Sequence, residues 1–95
     1  MIVLQIEHKV PNFAGWKKVF DSDPINRRKS GVRRYHIFQP TDDPNYVIIE
    51  LEFETLNDAE ATLSALKKLW NQVEGKVMLN PQTRILDVIE TKEYL

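Results

Sequence analysis

Between Ile2 and Val10 the chain alternates, with Ile2, Leu4, Ile6, His8 and Val10 on one side of an extended backbone and Gln5, Glu7 and Lys9 on the other. Successive side chains of a strand point to opposite faces, so residues 1–10 are predicted to form a strand buried mainly on one side. Pro11 and Asn12 end the alternation. The period then becomes helical through Phe13, Trp16 and Phe20, and Asn12 is placed as the N-cap. Asp23-Pro24 stops that helix, because proline pushes the residue before it out of helical backbone. A short further turn through Arg28 is expected before Gly31. Residues 32–39, VRRYHIFQ, are rich in branched and aromatic side chains and read as the next strand.

PTDDPNY, residues 40–46, is a turn by composition, so a hairpin joins residues 32–39 to the strand VIIELEFE at 47–54. Val47, Ile49, Leu51 and Phe53 form its inner face, and Glu50, Glu52 and Glu54 its outer one. The next helix is predicted to start with Asn57 as cap and Glu60 bonding back to it. Ala59, Leu63, Leu66, Trp70 and Val73 make one apolar stripe, Lys67 and Lys68 follow toward the end, and Gly75 is placed as the C-terminal cap. TRILDVIE, residues 83–90, reads as the last strand. The order βαββαβ predicts an α+β, ferredoxin-like fold spanning residues 1–95 as a single domain: a four-stranded antiparallel sheet with two helices on one face. The helices must cover the face that carries Ile2, Leu4 and Ile6. His8 shares that face, so its ring is expected at the mouth of the gap beneath the first helix, half desolvated and near Trp16.

Composition narrows the chemistry. Of 95 residues, 42% are hydrophobic and 28% charged, which suits a folded globular chain. The absence of cysteine removes disulfides, thiolate catalysis and Cys-based metal sites, and suits a reducing compartment. The start, MIVLQIEHKV, lacks the basic and apolar segments of a signal peptide, and no apolar run nears the roughly 20 residues of a bilayer span. A soluble, cytoplasmic protein without a membrane partner is expected. With 13 basic against 14 acidic residues, nucleic acid is not an expected partner. RRKSGVRR, residues 27–34, concentrates five of the basic residues, which either attract an anionic ligand or complement the negative end of the first helix.

The fold hosts unrelated functions, so the residues must choose among them. YVIIELEF has neither the basic start nor the glycine of an RNA-recognition strand, and it carries three glutamates. The first strand-to-helix turn, VPNFAG, brings its glycine late, unlike small-molecule regulatory domains of the ACT type. Two histidines without paired spacing do not make a metal site, and no phosphate loop or nucleophile elbow is present. What remains is a pocket. His8 is the candidate base, against a buried histidine satisfied by a neighbour. Trp16, Phe20 and Trp70 are candidate ligand-contacting walls, against plain core. His36, beside Tyr35 on the hairpin, is a further ligand-contact candidate.

His8-Lys9-Val10, Phe13, Trp16, Lys17, Phe20-Asp21, Arg28, Gly31 and Asp42-Asp43-Pro44-Asn45 before a Val/Ile strand resemble a group of small bacterial proteins of the dimeric α/β-barrel superfamily. That superfamily includes the antibiotic biosynthesis monooxygenase type and cyclase-like members. The resemblance covers nearly the whole chain. It departs at Val10-Pro11-Asn12 and at the segment from Gly75 to Pro81, and the asparagine, tryptophan and histidine constellation of haem-degrading members is not recognisable. The resemblance implies a homodimer with two sheets face to face and no cofactor. It also implies a monooxygenase- or cyclase-like enzyme acting on an aromatic or polyketide-like molecule. The alternative is a non-catalytic small-molecule-binding or association module.

Overall fold

β1 (Ile2–Lys9), α1 (Phe13–Asp21), β2 (Arg34–Phe38), β3 (Tyr46–Phe53), α2 (Leu56–Val73) and β4 (Leu79–Asp87) follow one another in a computed structural model that describes residues 1–73, Val73 by its backbone alone, and 78–95. The four strands form one sheet in the order β2-β3-β1-β4, every neighbouring pair antiparallel. This is the expected ferredoxin-like fold. β1 runs from Ile2↔Phe53 to Lys9↔Tyr46 against β3, which sets Leu4 beside Leu51 and Ile6 beside Ile49. Those residues, with Val47 and Phe53, are buried against Trp16 of α1 and Ala59 of α2. Each fully buried aliphatic or aromatic side chain contributes roughly 1.5 to 3 kcal/mol relative to exposure, so this inner face dominates the fold's stability.

α1 begins as predicted. Asn12 is extended, and its side chain accepts a hydrogen bond from Gly15 N at 2.9 Å. Ser22 ends the helix, two residues before Pro24. The chain then descends through turns, with Asp23 and Asn26 at φ of 53° and 52°. Short polar side chains tolerate this left-handed region better than most.

Three elements differ from the sequence reading by two residues or more, and the other strands by one at most at each end. β2 is Arg34–Phe38, shorter than residues 32–39, because Gly31 at φ 99° turns the chain and Val32 packs against the core before pairing begins. α2 starts at Leu56, and Thr55, not Asn57, supplies the cap: its hydroxyl accepts from Asp58 N at 3.1 Å. This earlier start puts Asp58 in the first turn, where its negative charge suits the helix dipole. Asp58 lies over Gly31 so closely that a Cβ there would meet its carboxylate at 2.7 Å. The cap expected at Gly75 lies outside the described residues.

β4 is Leu79–Asp87 rather than residues 83–90. It pairs along the length of β1, and its register shifts between Glu7 and Lys9. Asn80 and Pro81 therefore stand opposite His8 alone, with Asn80 at φ 52°. A bulge on an edge strand is a position that tolerates a proline, since no ladder hydrogen bond is lost there. At the other end the ladder stops at Ile2↔Asp87 with one further bond, Val88 N to Met1 O, so residues 89–90 have no strand to pair with.

Candidate functional site

The bulge in β4 leaves His8 without a cross-strand partner on that side, while β3 places Val47 opposite it. Its ring faces inward with Leu4 and Ile6. Nδ1 lies 3.0 Å from the backbone carbonyl of Lys9, the ring's one hydrogen bond among the described residues. A carbonyl only accepts, so Nδ1 carries the proton and the neutral ring keeps its lone pair on Nε2. The indole of Trp16 meets the ring edge-on at 5.8 Å.

His8 is only 2% exposed, so the expectation of a half-exposed ring at the mouth of the gap is corrected. The strand does not run out into solvent there. Val10, two residues on, is itself buried, and its N–H donates to Asn45 O at 2.8 Å, which ties the hairpin loop over the end of β1. Burial lowers the His8 pKa below 6.5, and the bond to Lys9 raises it by less, so the ring is neutral at pH 7.

A cavity of about 70 Å³ lies between sheet and helices. Ile6, His8, Ile49 and Leu51 form its sheet side, Trp16 and Phe20 the α1 side, and Leu66 and Trp70 the α2 side. Four of the five residues singled out from sequence, His8, Trp16, Phe20 and Trp70, thus border one cavity. His36 does not. It stands on the opposite face of the sheet beside Glu50, with Nδ1 3.8 Å from the Glu52 carboxylate and its ring stacked on Phe38.

Among the wall residues that the sequence reading did not place there, Arg27 is the charged one. Nη1 donates to Phe20 O at 2.8 Å, so the arginine does meet the negative end of α1, as one reading of the basic cluster held. Its guanidinium also lies 4.0 Å over the Phe20 ring and 5.2 Å from that of Tyr35. Among the described residues no group of three or more histidines and carboxylates is placed to hold a metal ion, and no helix is long and apolar enough to cross a membrane.

No family model and no curated protein matches the chain. Solved structures do. A Nitrosomonas europaea protein provisionally named an antibiotic biosynthesis monooxygenase is 20% identical, with 95% of this chain and 100% of that one covered and a TM-score of 0.72. SnoaB, a cofactor-independent oxygenase from Streptomyces nogalater, is 11% identical over 95% of this chain and 94% of its own, at a TM-score of 0.76. MhuD, solved as a mutant with two manganese protoporphyrin IX molecules per active site, is 15% identical over 99% and 100%, at 0.71. Identities this low carry architecture alone, and the chain therefore has the ferredoxin-like fold of the antibiotic biosynthesis monooxygenase-like structures.

Proposed function

We propose that the protein binds a small aromatic molecule in this cavity and oxygenates it without a cofactor, with His8 as the base. One observation supports the reading above others: a buried, neutral imidazole is fixed through Nδ1–H, and its unpartnered Nε2 belongs to a ring that borders an apolar cavity. Neutral His8 accepts the proton of a phenol or enol at Nε2, and the resulting Nε2–H donates back to the enolate oxygen. The pair is strong because apolar walls exclude water. The electron-rich enolate carbon adds dioxygen, and the hydroperoxide loses water to leave a carbonyl. One oxygen atom ends in the carbonyl and the other in water, so the substrate supplies all the electrons. SnoaB, of the same fold, is a cofactor-independent oxygenase, which favours this chemistry over others.

Volume limits the ligand. About 70 Å³ is half of the roughly 150 Å³ that accepts benzene in a buried apolar cavity, and far below the roughly 300 to 1,000 Å³ of drug-sized sites. A single ring enters with small movements of half-buried Leu66 and Trp70, whereas a porphyrin of the kind bound by MhuD does not fit. Hydroquinone is therefore a suitable probe, since its conversion with one dioxygen to hydroxybenzoquinone and water balances. Oxygen uptake above the chelator-treated background is expected, with loss of uptake in His8→Gln. Saturable binding without uptake would move the reading to the non-catalytic module.

A homodimer is part of the proposal. The outer sheet face aligns Phe38-Ile48-Glu7, His36-Glu50-Gln5-Arg84 and Arg34-Glu52-Val3-Leu86 in rows. Its carboxylates are already partnered: Tyr46 donates to Glu7, Gln5 to Glu50, and Arg34 to both oxygens of Glu52. The bare charge to be covered on this face is that of exposed Arg84, and Ile48, Leu86 and Phe38 supply the apolar area. Light scattering at micromolar concentration is expected to give twice the chain mass and, for Ile48→Glu, the chain mass alone. A stable wild-type monomer would remove the dimer.

A further inference from the structure

The cavity has a second, polar end. Contacts lead from His8 to Trp16 at 5.8 Å, from Trp16 to Phe20 at 5.2 Å, and from Phe20 to the Arg27 guanidinium at 4.0 Å. Arg27 borders the apolar cavity on one side and, on the other, an open hollow of about 360 Å³ shared with Arg28, Arg33 and Arg34. Among the residues lining that hollow the one carboxylate is Asp23.

The state of each cation decides what the hollow does. Arg34 is held by Glu52, and Arg33 by Glu54 at 3.2 Å. Arg28 has no ion-pair partner among the described residues. Arg27 has only 15% of its side chain exposed, and its contact with Asp23 is long, 3.5 Å, and made through Nη1. Nη1 also makes the bond to Phe20 O, so Nε and Nη2 have no acceptor among the described residues. A guanidinium presents five N–H donors in a fixed fork that fits a carboxylate through two parallel bonds. Here the side chain is mostly covered, clamped by a backbone carbonyl and two aromatic rings, and half of the fork is unused and open to the hollow. A mostly covered cation in that state, with donors left open, is stabilised by an incoming anion more than a fully solvated surface arginine is.

We infer that Arg27 reads a carboxylate on the ligand, so that the molecule bound is an aromatic acid whose ring lies in the cavity and whose carboxylate lies at the Arg27 end. The inference rests on the small-molecule reading above and narrows it. It also gives the ligand a polar anchor at Arg27, beside the ring's contacts with Trp16 and Phe20. Arg28 lies on the outer side of the same hollow and adds to the field that draws the anion in.

The test is isothermal titration with 4-hydroxybenzoate and its uncharged isostere 4-hydroxybenzamide, against wild type, Arg27→Gln and Arg27→Lys, each checked for folding by thermal denaturation. Wild type is expected to bind the acid at least tenfold more tightly than the amide. Arg27→Gln should bring the two within twofold while leaving the amide unchanged, and Arg27→Lys, which keeps the charge without the fork, should fall between. Equal binding of acid and amide to wild type would overturn the inference and leave the small-molecule reading standing. So would a preference that survives Arg27→Gln, since the anion would then be read elsewhere. If Arg27→Gln does not fold, an Arg27→Lys ratio equal to that of wild type overturns the bidentate fork and a reduced one supports it. Failure of both probes to bind wild type would end the small-molecule reading itself.

Discussion

Phe53→Ala is expected to lower the unfolding free energy by about 3 to 5 kcal/mol, the range for deleting a buried aromatic side chain. Phe53 is 0% exposed and closes the inner face of β3, where it pairs with Ile2 and belongs to the cluster shared with Trp16 and Ala59. The loss has two parts, the transfer of the ring to water and the void that a close-packed sheet and helix fill only partly. For a domain of this size each kcal/mol moves the midpoint by roughly 4 to 8 °C, so the variant should melt well over 10 °C lower. Phe38 is the internal comparison. It is 44% exposed on the outer face of an edge strand, and Phe38→Ala in a monomeric background should change stability by no more than about 0.5 kcal/mol. Urea denaturation of both variants decides it; similar losses for the two would mean that the inner face is not the main core.

What made Phe53 legible is strict alternation. Val47, Ile49, Leu51 and Phe53 are all buried, and Glu50 and Glu52 lie outside, so one period fixes both the strand and its face. β4 resisted the same reading. Asn80 and Pro81 break its pattern because they form the bulge, and an edge strand is only half buried even where it pairs. The start of α2 was misplaced by two residues because Asn57 and Thr55 are both good caps, and only the packing of Asp58 over Gly31 chooses between them. The cavity followed from the fold plus two periods, which bring His8 to Trp16 and Trp70 to the opposite wall. His36 could not be assigned from sequence without the observed start of β2, since one residue of register moves every side chain to the other face. Arg27 escaped for another reason. A charged residue in a basic run reads as surface, and its side chain is mostly covered only because the turns after α1 fold back over Phe20 and Tyr35.

His8→Ala carries the largest expected effect on function, a fall in turnover of the probe by roughly 10² to 10⁴, the usual contribution of a positioned base. Stability should fall as well, by about 1 to 3 kcal/mol at pH 7.5, because the Lys9 carbonyl loses its buried partner. The two losses have different pH signatures. Desolvation holds the folded-state pKa of His8 below the 6.5 of an unfolded chain. Above pH 6.5 both states carry a neutral ring and His8 adds no slope. As the pH falls through 6.5 the unfolded chain takes up a proton that the folded chain refuses, so wild-type stability declines by at most about 1.4 kcal/mol per pH unit until the folded pKa is reached. His8→Ala should remove that part of the slope between pH 7.5 and 5.5, read by urea denaturation at several pH values. Turnover by wild type should persist below pH 6.5, since the base loses its lone pair only at the lowered folded value. A histidine that is merely core predicts the same stability loss and the same flattened slope but leaves probe binding and oxygen uptake untouched. That pattern in His8→Ala would sink the catalytic reading, whereas loss of uptake in a variant that still folds at pH 7.5 would support it.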